Sequence, residues 1–383
     1  MSLYYEWGTK QLLKKDEELC GDSVVISRRS DSVTLALSDG LGSGVKANIL
    51  ATLTTRIAMH MLENELHLDE VVETLSDTLP RCNVRKLAYS TFAIAQFFTQ
   101  GTARLVEFDS PLAFFLRNRK LNKINFEEKL FKDKKLYVAL INLQKGDWII
   151  FVSDGVINAG IGGVYPLGWG WDNTGEFLEK HTHPSMSADD VAEKVAETVN
   201  SLYAGPPGDD VSIVAIKVRS QYNLTILTGP PADKHMDEEV INRFMQNKGR
   251  LAVCGGTTGK IAARCLGKSL DVELDSMTKD VPPSGKIEGI DIATEGILTL
   301  TKVNAMLRKG ATKKSIELQS DGASNLLRHM LEVDKIRFLI GTAINPAHQN
   351  PELPGQLGIR TTVVNEIADK LTARGKAVSI EMI

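Results

Sequence analysis

Cysteine is scarce in this chain. Cys20, Cys82, Cys254 and Cys265 stand at irregular spacings with no C-x-x-C pair among them. That pattern argues against a disulfide framework and a structural zinc site, and points to a reducing, cytoplasmic compartment. Long apolar runs are missing too. No window reaches the roughly 18 apolar residues of a membrane span, and Met1–Cys20 holds no stretch fit to be the core of a signal peptide. Neither membrane anchoring nor export is expected. Nor does one sign of charge prevail: 45 Lys and Arg stand against 48 Asp and Glu, a formal charge of -3. Without an overall basic field, nucleic acid and anionic lipid are not expected partners, and binding is to be sought in local sites.

At 383 residues the chain exceeds one ordinary domain and implies roughly two to three units. Hydrophobic residues at 43% and charged residues at 24% match folded globular proteins and exclude a disordered or fibrous reading. The first half reads as strands with inserted helices. Asp22–Ser27 and Val33–Ser38 suggest a hairpin. From Gly44 to about Glu63 the residues Val45, Ile49, Leu50, Leu53, Ile57, Met61 and Leu62 recur at helical spacing. Leu68–Thr78 reads as a second helix, stopped by Pro80. Six further strands follow between Thr91 and Val218, interrupted by one helix that starts at Ser187 with Asp189 and Asp190 in its first turn. So many sequential strands imply antiparallel sheets with peripheral helices.

After Ser220 strands and helices alternate, from Asn223–Thr228 to Ala377–Met382, which predicts an α/β domain with a largely parallel, doubly covered sheet. The expected boundary lies at 219–222, giving domains 1–219 and 223–383.

Four aspartates sit where strands should end or begin: Asp22, Asp39 before Gly40, Asp154 before Gly155, and Asp209 before Asp210. One Asp-Gly after a strand is an ordinary turn. Four together are another matter, because clustered carboxylates repel unless cations neutralise them. Hard oxygen donors suit Mg²⁺ or Mn²⁺ rather than zinc.

The blocks Gly21–Ser23, Ser38–Gly44 leading into a helix, Ser90–Phe97, Lys145–Val156 and Gly208–Val218 resemble the ordered motifs of metal-dependent type-2C serine/threonine phosphatases. They are most similar to those of the bacterial stage II sporulation protein E branch. The resemblance covers about residues 10–219 and rests on the order and spacing of the blocks. It implies two antiparallel sheets sandwiched by helices, an α+β fold. It also implies two metal ions, Mn²⁺ or Mg²⁺, with Asp39 bridging both, the Gly40 carbonyl as a further ligand, Asp154 and Asp209 completing the second ion, and Asp22 holding a metal-bound water. A phosphorylated regulatory protein is the implied substrate, and the implied reaction is phosphomonoester hydrolysis without a nucleophilic side chain. The sequence departs from the family at two points. Leu41 and Ser43 occupy the places of the histidines that relatives carry after the first Asp-Gly. The phosphate-gripping arginine of eukaryotic members has no counterpart in Lys14–Glu18, a charge run that reads as a solvated face although either lysine is a substitute. Asp109-Ser110-Pro111 and Arg117 read as structural.

Beyond Asp154, the glycine-rich stretch Asn158–Asn173 carries Trp169 and Trp171. It reads either as a substrate-contacting loop or as a loop pinned by its tryptophans.

In the second domain, glycine loops follow several strands, at 228–231, 254–260, 293–296 and 341–350. A parallel sheet gathers such loops at its carboxyl edge, where ligands bind. The loop Gly255, Gly256, Gly259, Lys260 opens a helix and is the candidate cradle for an anionic or nucleotide-like small molecule. It is not a Walker A loop. It also meets the dinucleotide pattern incompletely, with Cys254 in the place of the first glycine and Glu273 or Asp275 as the later acid. His348 alone carries no ligand argument. The leading reading is an active phosphatase whose C-terminal domain senses a ligand or selects a partner. The alternatives are a non-catalytic phosphatase-like binding module and a nucleotide-dependent C-terminal enzyme, for which no catalytic constellation is present.

Overall fold

Short apolar stretches joined by tight polar turns pair with their neighbours along most of the first half of the chain. A computed structural model describes residues 3–78, 90–131, 134–273, 284–343 and 358–383. Its packing separates two units, Met1–Ser220 and Gln221–Ile383.

In the first unit the elements run β1 (Leu3–Leu12), β2 (Asp22–Arg28), β3 (Ser32–Gly40), α1 (Gly44–Glu63), α2 (Leu68–Thr78), β4 (Ser90–Phe98), β5 (Thr102–Phe108), β6 (Phe114–Arg117), β7 (Lys120–Asn122) and β8 (Glu127–Phe131). Then come β9 (Lys134–Asn142), β10 (Trp148–Val152), α3 (Asp154–Ile157), α4 (Trp171–His181), α5 (Ala188–Tyr203) and β11 (Val211–Ser220). One sheet has the order β1-β11-β10-β6-β7, the other β2-β3-β4-β5-β9-β8, and every pairing in both is antiparallel. The expected α+β architecture is present. Leu35, Leu37, Phe97, Phe151, Val214 and Ile216 fill the space between the sheets. On the outer faces α1 and α2 cover one sheet, and α4 and α5 cover the other. Ser187 caps α5 with a reciprocal bond to Asp190, the signature read from the sequence.

Helix α1 has the expected extent and a different buried face. Ala47, Ala51, Thr54, Thr55 and Ala58 are buried, whereas Val45, Ile49 and Leu53 are 60%, 58% and 42% exposed. Close approach is the reason. A Cβ on Gly40 would land on the Ala47 carbonyl, and Thr55 hydrogen-bonds Ser23 of β2 at 2.8 Å. Only small side chains let the helix lie this near the strands, so the large apolar residues take the opposite side. The sequence reading also passed over β1, whose apolar and polar residues do not alternate cleanly, and α4, which begins inside the stretch read as a loop. Pro80 and Cys82 lie outside the described residues.

The second unit runs β12 (Asn223–Thr228), α6 (Asp237–Met245), β13 (Arg250–Cys254), α7 (Gly256–Leu266), β14 (Asp271–Glu273), β15 (Ser284–Ile287), β16 (Ile290–Thr294), α8 (Ile297–Arg308), α9 (Gly322–Glu332), β17 (Lys335–Ile340), α10 (Ile359–Thr372) and β18 (Ala377–Met382). Its sheet has the order β14-β15-β16-β13-β12-β17-β18. The sheet is mixed: β16, β13, β12, β17 and β18 pair in parallel, while β14 and β15 add an antiparallel edge. The alternation of strands and helices read from the sequence predicts parallel pairing throughout, and this antiparallel edge departs from it. Helices α6 and α7 cover one face, and α8, α9 and α10 cover the other. Strand order reverses between β12 and β17, the topological switch point of a doubly wound sheet. Asp275 and residues 344–350, including His348, lie outside the described residues.

Candidate functional site

The four aspartates come from both sheets of the first unit and meet at one end of the sandwich. Asp22 opens β2 and Asp39 nearly closes β3, directly opposite each other in the antiparallel register. Asp154 follows β10 as the first residue of α3, and Asp209 precedes β11, the neighbour of β10. The glycines after two of them are packing requirements. A Cβ at Gly155 would strike the Asp210 carbonyl, as one at Gly40 would strike α1. Gly40 itself is the buried last residue of β3.

Electrostatics tie the cluster together. Burial, reinforced by the charges of Asp22, Asp154, Asp209 and Asp210, pushes the Asp39 carboxyl up to about 8. Burial raises Asp22 to about 7 against hydrogen bonds from Ser212 and Ser153. Asp154 is raised by burial and by Asp209, and is opposed by the Gly155 N–H, Lys14 and a side-chain bond with Asp39. Carboxyls held this far above their ordinary range are a set lacking positive charge. Asp22 is 4% exposed, and its Oδ2 has no hydrogen-bond partner.

This donor set, all oxygen and short of cations, fits hard divalent ions. Among the described residues no three His, Cys, Asp or Glu side chains close into a ready-made cage.

Four residues that the sequence reading did not place in the site support it: Asp210, Ser153, Ser212 and Lys14. Asp210 accepts from the backbone N–H of Lys14 at 3.0 Å and of Gly21 at 2.8 Å, which fastens the segment before β2 onto the start of β11. Ser153 Oγ accepts from the Ser212 N–H at 2.8 Å. The doubled Asp at 209–210 was the available signal, since adjacent acids at a strand start point to opposite sides. Lys14 corrects the solvated-face reading, because its ammonium lies 3.3 Å from Asp209 Oδ1. Arg117 is structural as expected, pairing with buried Asp147 at 2.7 Å.

The tryptophan alternatives resolve toward pinning. Trp169 is buried in the core under α4 and α5. Trp171 stacks on Phe114 with centroids 4.8 Å apart and donates to the Leu112 carbonyl at 2.8 Å.

In the second unit Gly229, Gly255, Gly296 and Gly341 form a row across the carboxyl edge. A Cβ on Gly341 would strike the Gly229 carbonyl, one on Gly255 would stand 3.9 Å from the Gly229 nitrogen, and one on Gly296 3.2 Å from the Gly255 Cα. Gly255, at φ 141, is the N-cap of α7, which has neither a side-chain cap nor an acidic residue in its first turn. Gly256 and Gly259 lie in that turn, and Lys260 after them is exposed. Gly256 faces open space. In a doubly wound sheet the dinucleotide fingerprint follows the first strand. Here the first strand, β12, leads into Gly229-Pro230-Pro231, and the Cys254–Lys260 loop follows its neighbour.

Residues 29–219 match the family model described as Stage II sporulation protein E (SpoIIE), the branch to which the motif blocks pointed. A comparison with curated proteins found no match. Similar solved structures include the PP2C phosphatase domain with a fragment of the regulatory domain of SpoIIE from Bacillus subtilis, at 20% identity over 57% of this chain and 64% of that chain, TM-score 0.48. The SiaA-PP2C domain of Pseudomonas aeruginosa matches at 15% identity over 56% and 85%, TM-score 0.43. The catalytic domain of the serine/threonine phosphatase PstP, in complex with 2 manganese ions, matches at 16% over 57% and 100%, TM-score 0.41. No described helix is long and apolar enough to cross a membrane.

Proposed function

We propose that residues 1–219 are a metal-dependent protein serine/threonine phosphatase domain that hydrolyses phosphoserine or phosphothreonine on a regulatory protein. The observation that carries this reading is the meeting of Asp22, Asp39, Asp154 and Asp209 from two sheets, with Asp22 Oδ2 buried and without a partner. Asp39, Asp154, Asp209 and the Gly40 carbonyl would hold two Mn²⁺ or Mg²⁺ ions, with Asp22 behind them. Bound there, the ions supply an activated water and neutralise phosphoryl charge. Ser153 and Ser212 lie beside Asp22 and favour its charged form. Asp210 fixes the Lys14 backbone, so that the Lys14 ammonium stands at the cluster, where it favours an anionic phosphoryl group. No side chain need act as nucleophile.

Residues 223–383 are proposed to bind a phosphate-bearing or nucleotide-like anion at the carboxyl edge, with Gly255, Gly256, Gly259 and Lys260 as one candidate cradle, and to change phosphatase output thereby. Typical coupling free energies of about 1–3 kcal/mol correspond to roughly 5- to 150-fold changes.

The test is phosphate release from phosphoserine and phosphothreonine peptides by the full chain with Mn²⁺, before and after EDTA. Release that EDTA abolishes and Mn²⁺ restores is expected. Metal binding without release would leave a phosphatase-like binding module, and release indifferent to EDTA would overturn the metal reading.

A further inference from the structure

Among the described residues, two helices at the carboxyl edge of the second unit have N-termini that no side chain fills. Helix α6 carries Asp237, Glu238 and Glu239 in its first turn, and the Leu298 N–H of α8 is met by Glu295 at 3.3 Å. By contrast α7 and α10 begin after glycines, with no side-chain cap and no acidic residue in the first turn. An open N-terminus is not a site by itself. At α10 two further features stand beside it, and both lie at the switch point between β12 and β17.

The first is Arg360, in the first turn of α10. Its Nη1 donates to the Gly341 carbonyl at 3.1 Å, and the guanidinium lies against the bare Cα side of Gly229, whose φ of 83 favours glycine. Among the described residues no carboxylate pairs with it. Burial alone pulls its pKa below the ordinary arginine value. A partly buried guanidinium with one neutral partner has most of its donors unused. The second feature is Thr228, the last residue of β12, which pairs in register with Ile340 next to Gly341. Thr228 is 0% exposed, and its Oγ1 has no partner. Leu224 and Ile226 of the same strand pack with Val364 of α10, so alternation turns Thr228 to the α10 face as well. A buried hydroxyl without a bond is destabilising, and a ligand at this place would offset that.

We infer that a phosphate group of a small molecule binds at the switch point, held by the Arg360 guanidinium and the open first turn of α10, with Thr228 and the bare backbone of Gly229 and Gly341 beside it. This rests on the reading of the second unit as an anion sensor, and it places the anion at α10 rather than at the Gly255–Lys260 turn.

The test is calorimetric titration of the full chain with inorganic phosphate, pyrophosphate and ADP, with EDTA present so that the acidic cluster of the first unit does not take up metal and phosphate. At least one probe should bind. Arg360→Gln should weaken it at least about 10-fold, the scale of one charged hydrogen-bonding partner. Thr228→Val, close in shape, should raise the thermal midpoint of the free protein and weaken the probe several-fold. Thr257→Asp puts a negative charge in the first turn of α7 at an exposed position, and should leave affinity within about 2-fold. Binding lost in Thr257→Asp and kept in Arg360→Gln and Thr228→Val would overturn the α10 site while sparing the anion-sensor reading. Binding indifferent to all three variants would overturn the site as well. If no probe binds, both fall.

Discussion

The two units finish their strands in opposite electrical terms. At the end of the first unit's sandwich, four aspartates from two sheets crowd together and their carboxyls are held above the ordinary range. At the carboxyl edge of the second unit, glycines strip the loops to backbone, and among the described residues two helix N-termini and Arg360 stand without acidic partners. One edge lacks cations and the other lacks anions. Both use the same device, since strand ends fix side chains and backbone on a rigid frame while loops supply the chemistry. The deficit at each edge is what the two proposed ligand classes, cations at one and an anion at the other, would make good.

The most damaging way to break this comparison is Asp39→Asn. It should lower the manganese-dependent rate on the order of 10²-fold or more, while leaving pyrophosphate affinity in EDTA unchanged. A shared loss would mean that the two edges do not act independently.

Glycine distinguishes the edges next. Gly155→Ala drives a Cβ into the Asp210 backbone and should destabilise the first unit by about 1–3 kcal/mol, whereas Gly256→Ala meets nothing and should stay within about 0.5 kcal/mol. Urea unfolding of each variant reads the difference.

Glu107 shows what a buried acid does away from the aspartate cluster. It is 0% exposed opposite Ala93 in mid-sheet. Burial pushes it up from 4.5 to about 8, against the Ala113 N–H bond that lowers it. The folded value lies above the unfolded one, so the protonated form's contribution is fully present below pH 4.5 and is lost as pH rises through about 8. Stability should fall across that window by up to about 1.4 kcal/mol per pH unit, and Glu107→Gln should flatten the fall in urea unfolding at graded pH.

The smallest effect is expected on α1. Ile49→Ser on the exposed side should shift stability by no more than about 0.5 kcal/mol, while Ala51→Leu on the buried side should cost about 1–3 kcal/mol.

How far the sequence went follows from which forces are local. Elements with regular spacing, α1, α5 and α10 among them, were legible because the period is set by the backbone. The buried face of α1 was not, because it depends on how near Gly40 lets the helix approach the sheet. The four aspartates were legible through their order along the chain. Lys14 and Asp210 were not assigned, since their roles arise from β1 pairing with β11, which brings the start of the chain to the far end of the unit. In the second unit the loops were visible, but the strand on which the switch point falls required the sheet order. The antiparallel edge of β14 and β15 was hidden by the short length of those strands.

The central claim is that the acidic edge is a divalent-cation site built around Asp39. Calorimetric titration of the metal-free full chain with Mn²⁺ tests it most directly, with no dependence on a substrate. The account predicts two ions per chain for the unaltered protein and loss of binding at both positions in Asp39→Asn. An Asp39→Asn protein that takes up manganese with unchanged number and affinity would contradict it.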